Sequence, residues 1–520
     1  MILILLIHTI RHLQLRQVVY QIYYRLYIPR YSSSFKLKKV FGCIDANPFI
    51  YKYKCCNKGY FKFLNIDSIF SSWSDVLYGS LWSYNLNYMD WLQQEDLSFE
   101  EGAMWINKFI EDIPNNSVGL DPYPIALRGI NWIKFISTHY NEISKSQLEK
   151  WNNSLYSQYK LLENKIEYHL LGNHLLEDAY SLFIASLYFR DASFYKKYKV
   201  LLKEELNEQI LPDGAHFEQS PMYHCILLER LLDSYNISIH NQIFDSQIEF
   251  SSFLKSKAIK MLGHLESILY ADKSFPLFND SARGIAPSPL DLFLYAKRLN
   301  LIWQPIKLKE CGYRKMSNSF MEAFVDIGNI TAPYQPGHTH SDVFNYELRV
   351  ENRPFIVDTG VSTYNKTERR QYERSSCAHN TVSIDEANVY DVWSGFRVAR
   401  RAKVDVFDDC HNFIRAKHDG FQKTHKCIHL RTFYLDDNNF IIIDFINSKK
   451  TAISYIHLAS DIHILSFSEA KIETNLSTIS IDGADKIEII DDYISLEYNK
   501  LLPSKTIKIH FCSELKYTIS

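Results

Sequence analysis

The chain has no cysteine framework, no long apolar run, no excess of either charge and no low-complexity linker, and each absence removes a class of protein. Nine cysteines, an odd number, are scattered from Cys43 to Cys512, and Cys55-Cys56 lacks the paired C-x-x-C spacing of a zinc knot. Reduced structural thiols are expected. No stretch approaches the ~20 apolar residues of a membrane-spanning helix. The run from Met1 to Ile7 is apolar, but no basic residue precedes it and Arg11 and His12 interrupt it. It is also poor as a signal peptide, which favours retention in the cytoplasm, with periplasmic export as the alternative. A formal net charge of −2 supplies no overall field for DNA, RNA or an anionic membrane, so a polyanionic substrate must be held by a local cluster.

What is present is the composition of an ordinary globular protein. Hydrophobic residues at 46% and charged ones at 23% exclude a disordered or fibrous chain, and 520 residues suggest two or three domains, each with its own interior. Tyrosine (35) and phenylalanine (32) are abundant, but Ile, Asn and Lys are as well, so the aromatics carry no functional weight as a bias towards sugar stacking.

The pattern divides the chain. A lead-in over 1–65 reads as helical or irregular. From about 66 to 310 apolar residues recur at helical spacing with sparse Gly and Pro, and segments near 100–113, 124–140, 146–166, 194–209 and 248–270 read as helices. Leu175, Leu176, Ala179, Leu182, Phe183 and Leu187 trace one face of a further helix that Asn173 is expected to cap. Ser220-Pro221 opens another, with Pro at its first position. From 318 to 520 the period falls to two, most clearly in Phe344-Asn345-Tyr346-Glu347-Leu348-Arg349-Val350. Turns are expected at Glu351-Asn352-Arg353-Pro354, Asp436-Asp437-Asn438-Asn439 and Asp482-Gly483, giving antiparallel sheets packed as a sandwich. A cleft between the halves is the natural ligand site.

Two stretches gather titratable groups where a packed core would not want them: Leu171-Gly172-Asn173-His174-Leu175-Leu176-Glu177 and Pro336-Gly337-His338-Thr339-His340-Ser341-Asp342. His340, Asp358 and His379 offer two imidazoles and a carboxylate, a donor set that suits Zn²⁺. Taken singly, a His on a half-buried strand is more often a hydrogen-bonded structural residue. His174 and Glu177 share a face of a helix start, and Tyr223 and His224 fall in the first turn after Pro221, where N–H groups favour an anion. Packing and solvent exposure are the bland alternatives for these.

Read together, the stretches resemble the heparinase II/III family of polysaccharide lyases. The resemblance runs in order through Leu81-Trp82-Ser83-Tyr84-Asn85-Leu86-Asn87-Tyr88, Pro122-Tyr123-Pro124-Ile125-Ala126-Leu127-Arg128 and Gly172 to Glu177. It continues through Asp213-Gly214-Ala215-His216-Phe217-Glu218-Gln219-Ser220-Pro221-Met222-Tyr223-His224, Phe278-Asn279-Asp280, His338 to Asp342, Ile356 to Gly360 and Ala378 to Val382. It implies an incomplete α/α toroid followed by an antiparallel β-sandwich, and β-elimination at a 4-linked uronic acid of an acidic polysaccharide. Asn173 and His174 match positions that contact the sugar carboxylate, and Glu177 one that supports the site. Tyr223 matches the catalytic tyrosine that protonates the departing O4, and His338 the histidine that acts as base for one C5 epimer, Tyr223 serving for the other. His340, Asp358 and His379 match the ligands of a structural zinc. Thr339 and Ser341 replace the commoner small alanines, which bears on substrate identity. Apart from the resemblance, Trp82, Tyr88, Tyr123, Arg128 and Tyr372 are candidates to line the cleft, with core packing the commoner reading of an aromatic at helical spacing. A role in assembling surface polysaccharide and a non-catalytic carbohydrate-binding role are the competing readings.

Overall fold

The structure, a computed structural model, describes residues 2–37, 42–448 and 450–520. Its first part is an incomplete α/α toroid built from helices including Phe99–Asp112, Pro122–Thr138, Lys145–Lys165, Gly172–Tyr188, Ala192–Gln209, Pro221–His240 and Gln247–Ser267. Several begin at a hydroxyl or carboxylate that takes up an orphan N–H: Ser98, Ser144, Asp191, Ser220 and Ser288 each cap their helix. Gly172–Tyr188 is buried along almost its whole length, because Pro122–Thr138, Ala192–Gln209 and Pro221–His240 pack around it.

The lead-in is helical at its start and largely irregular over 27–37 and 42–55, and it adds a small sheet. It holds helices Ile2–Ile10 and Leu15–Leu26 and a three-stranded antiparallel sheet, Cys56–Asn57, Tyr60–Phe63 and Ile66–Ile69. Alternation in Tyr60-Phe61-Lys62-Phe63 sends Phe61 and Phe63 into the toroid core, where Phe61 meets Trp91 and Trp105 edge-on. A boundary at 65/66 therefore cuts a strand pair whose inner face belongs to the toroid.

The second part is the β-sandwich, whose first strand, Tyr313–Ser317, starts just before the expected 318. Tyr313–Ser317, Met321–Asp326, Tyr346–Val350 and Arg353–Ile356 form one antiparallel sheet. A ten-stranded sheet centred on the long strands Thr478–Glu497 and Lys500–Ile519 faces it. Asp482-Gly483 is not a turn between strands: Gly483, at φ 85°, makes a bulge inside Thr478–Glu497, where a Cβ would stand 2.6 Å from the Glu514 carbonyl.

The alternation over 344–350 is real, yet its polar face does not meet water. Every residue of Tyr346–Val350 is buried. Glu347 accepts from Tyr270 Oη at 3.0 Å and from the Leu277 N–H at 2.9 Å, while Arg349 lies over the Tyr270 ring and donates to Asp272. The polar side of this strand is thus the seam between the domains.

Within the sandwich, Arg431 donates to both oxygens of Asp444, at 2.7 and 2.8 Å, and to the carbonyls of Phe344 and Asn380, all fully buried. Burial opposes the Asp444 charge, but Arg431 and the His429 hydrogen bond hold its carboxyl well below the usual range. A depressed folded pKa contributes stability above the unfolded value and loses it as pH falls below that value. Wild type should therefore lose stability below about pH 4. Asp444→Asn should cost about 3–5 kcal/mol at neutral pH and lose less than wild type over that acid window, as measured by urea unfolding at several pH values.

Candidate active site

The site forms where three segments meet: the start of Gly172–Tyr188, the start of Pro221–His240, and the His338–Asp342 stretch that leads into the sandwich. The helix capped by Ser220 presents Tyr223 from its first turn, and the Ser220 hydroxyl also donates to the Asp280 carbonyl at 2.7 Å. The Tyr223 and His338 rings lie 3.9 Å apart between centroids, so residues from both domains face one space.

Asn173 does not cap its helix. Leu171 holds that position at φ 64°, a strained conformation for a residue with a side chain, and Asn173 lies inside the first turn. Its backbone N–H and side-chain amide both donate to Glu218, at 2.7 and 2.9 Å, and the amide nitrogen stands 3.3 Å from His338 Nε2. Gly172 makes this possible, since a Cβ there would sit 2.4 Å from Glu218 Oε1.

Asp280 organises the histidines. Its carboxylate receives Arg370 in two-pronged fashion, His338 Nδ1 at 2.9 Å and His340 Nε2 at 2.8 Å, with all four residues buried. Burial works against the charge, but Arg370 and the two imidazole hydrogen bonds hold Asp280 well below the usual carboxylate range. An ionised Asp280 can only accept, so it holds a proton on Nδ1 of His338 and turns Nε2 towards Asn173. Glu218 Oε2 lies 3.4 Å from that same nitrogen. The Tyr223 phenol is pushed up by burial, so it stays protonated, and its oxygen is 3.4 Å from Tyr364 Oη.

His174 pairs with Glu167 at 3.0 Å; burial opposes its charge, but Glu167 outweighs burial and favours the imidazolium. Tyr123 packs at a tilt beside His174 at 4.7 Å and Tyr88 beside Tyr123 at 5.7 Å, so both belong to the wall that His174 continues. Glu177 is fully buried against Arg230 at 3.5 Å, and burial raises its carboxyl to about 7.

Three residues expected at the cleft are elsewhere. Trp82 is core: its indole N–H donates to the Ile66 carbonyl and its ring meets Phe63 edge-on. Arg128 is fully buried, with its donors spent on Gln158 and on the carbonyls of Asn87 and Gly119. Tyr372 donates to Asp492 at 2.6 Å, while Arg370 of the same short helix is the residue that reaches the site. Asp280, Glu218, Arg370 and Tyr364 were missed as site residues. Asp280 and Glu218 stood in the quoted motifs without a role, and nothing in the sequence around Arg370 or Tyr364 singles them out.

Of the expected metal ligands, His379 Nδ1 contacts Asp358 Oδ2 at 2.8 Å, and the His340 and His379 rings are 5.3 Å apart. Among the described residues the group whose ligating atoms all lie within 4.8 Å of one another is a different one, Asp213, His264 and Cys311.

A helical toroid is thus joined to an antiparallel sandwich, with a tyrosine, a histidine and an amide converging between them. The chain belongs to the heparinase II/III-like family: residues 126–289 match the heparinase II/III N-terminus and residues 303–518 the heparinase II/III-like C-terminal domain. It is 23% identical over 349 residues to a heparin-sulfate lyase of Pedobacter heparinus, covering 62% of this chain and 50% of that protein. To a heparin-sulfate lyase of Bacteroides stercoris it is 22% identical over 248 residues, covering 43% of this chain and 37% of that one. The matches thus span half or less of these curated relatives. Among solved structures, heparinase III superposes with a TM-score of 0.65 at 16% identity over 84% of this chain and 76% of that one. A heparan sulfate lyase from Pedobacter heparinus gives 0.55 at 16% identity over 89% and 80%.

Replacing Asp280 by Asn leaves Arg370 buried without its counter-ion. Asp280→Asn should cost about 3–5 kcal/mol in urea unfolding. It should also release His338 from the Nδ1-protonated tautomer, read from the ring-nitrogen shifts in NMR. An unchanged tautomer would place the control of His338 elsewhere.

Proposed function

We propose that the chain is a polysaccharide lyase that cleaves a 4-linked, uronic-acid-containing glycan by β-elimination. The observation that carries this reading is the 3.9 Å approach of Tyr223 to His338 with the Asn173 amide 3.3 Å from His338 Nε2. The C5 proton of a uronate lies next to a carboxylate and becomes acidic only if that charge is met as the enolate develops. Asn173 supplies an amide donor and His174 an imidazole whose charged form Glu167 favours. His338 Nε2 is the base, with Asp280 behind it. Glu218, 3.4 Å from Nε2, then faces the imidazolium once the C5 proton has been taken. The Tyr223 phenol, held protonated by burial, gives its proton to O4 as the bond breaks. Asn173, His174, Tyr88 and Tyr123 would hold the sugar, and Glu177 positions the wall through Arg230. A non-catalytic binding protein would need no acid and base at ring-contact distance.

Incubation with a panel of uronate polymers tests the reading by the ultraviolet absorbance of the unsaturated uronate product. Tyr223→Phe and His338→Ala should each lower kcat at least about 10²-fold while leaving the melting temperature near that of wild type. Unaltered turnover in both variants would remove the assigned roles, and glycan binding without any elimination would favour the binding-protein reading.

A structural Zn²⁺ held by His340, Asp358 and His379 belongs to the same proposal. The two imidazoles fit, since His340 Nδ1 and His379 Nε2 are buried with no hydrogen-bond partner, whereas Asp358 accepts from His379 Nδ1, the Asn345 amide and the Gly360 N–H and would have to turn from these to join them. When bound, the ion would supply a rigid tie for the sandwich segment beneath the cleft. Asp358→Ala should lower metal content and melting temperature together, measured by elemental analysis and calorimetry. Wild-type protein without bound zinc would rule the ion out.

A further inference from the structure

We infer that helices Ile2–Ile10 and Leu15–Leu26 form a docking face for an anionic lipid bilayer. The inference does not depend on the proposed reaction. In Ile2–Ile10, the side chains of Ile2, Leu3, Ile4, Ile7 and Ile10 are 48% to 69% exposed, and no residue of the helix is buried. In Leu15–Leu26, Leu15, Val19, Ile22, Tyr23 and Leu26 are 45% to 84% exposed and fall at the three- and four-residue spacing of one helical stripe. A soluble surface seldom leaves two adjoining helices bare in this way.

The opposite side of each helix is anchored, so the bare face is a fixed feature of the molecule. Gln17 is buried and donates to the carbonyls of Leu170 and Tyr334, and Tyr24 donates to the Ile166 carbonyl. Arg16 lies over the Tyr168 ring, and Trp393 donates to Thr9 Oγ1.

Charge decides which occupant this face takes. The described residues 2–37 contain five Lys and Arg, of which Arg11, Arg25, Arg30 and Lys36 are exposed, and not one Asp or Glu, in a chain whose formal net charge is −2. A second copy would bring the same uncompensated cations to the interface, whereas anionic headgroups neutralise them as the apolar side chains enter the acyl boundary. The helices lie on the bilayer and do not cross it. No described helix is long and apolar enough to span a membrane, and this pair is bent by 114°. Leu170 and Tyr334, which hold Gln17, precede Asn173 and His338 by only a few residues, so docking holds the segments that carry the cleft next to the lipid surface.

Sedimentation of the full chain with vesicles tests this. Wild type should pellet with an equimolar mixture of phosphatidylcholine and phosphatidylglycerol and bind pure phosphatidylcholine at least about tenfold more weakly, with salt releasing it from the anionic vesicles. The double variant Ile7→Glu with Ile22→Glu, both exposed in the free protein, should stay in the supernatant at an unchanged melting temperature. Wild type remaining in the supernatant, equal binding to neutral vesicles, or retained binding by the folded double variant would each overturn the proposal. So would a dimer in solution that the double variant converts to monomer, since the face would then be an interface between copies.

Discussion

The carboxylate of Asp280 is the contact on which the remaining site geometry rests. It comes from the loop that closes the toroid, yet its partners His338, His340 and Arg370 all come from the sandwich side. Its neighbours reinforce the tie: Asn279 Oδ1 accepts the His340 N–H, and the Asp280 N–H donates to the His338 carbonyl. One fully buried anion thus joins the domains, fixes a tautomer and sets how far His338 stands from Tyr223. An isolated charge at that depth would be prohibitive, and the bidentate guanidinium with two imidazoles is what makes it tolerable.

A second seam explains why the domains keep one spacing. Glu347 and Arg349 project from the sandwich strand Tyr346–Val350 into the toroid segment around Tyr270, Asp272 and Leu277. Slippage there would strand a buried carboxylate and a buried guanidinium, so the interface behaves as one packed unit. The small apolar cluster of Met222, Ala282, Val361 and Tyr498 fills the space directly under Tyr223. Polar ties set direction, and this cluster excludes water beneath them.

Much of this was legible from residue order. The change of period marks the two architectures, Ser220-Pro221 announces the helix that presents Tyr223, and the paired motifs around Asn173 and His338 locate the site. What local pattern could not carry was the destination of side chains. Alternation in 344–350 marks two faces but does not say that the polar one meets another domain. Trp82 and Tyr88 lie on one helix, and only the packing of Phe63 and Ile66 decides that Trp82 turns inward. Arg128 and Arg370 are both fully buried arginines, one with its donors spent on carbonyls and Gln158, the other aimed at a carboxylate. Sequence spacing cannot separate them, because their partners are 9 to 90 residues away.

Net charge speaks for the whole chain and not for any one patch, for a reason of distance. Fields between exposed charges fade over about 8–10 Å at ordinary ionic strength, so a chain can be near neutral as a whole and strongly biased in one patch. The same logic applies at the site. Arg370 and Arg230, two buried cations of this region, are committed to Asp280 and to Glu177 and Glu229. What remains for an anionic ligand is the Asn173 amide and the His174 imidazole, donors that act at contact distance and exert little pull beyond it. On the proposed reading, affinity for a glycan would come from several sugar rings seated along the wall of His174, Tyr123 and Tyr88, with charge reserved for one ring.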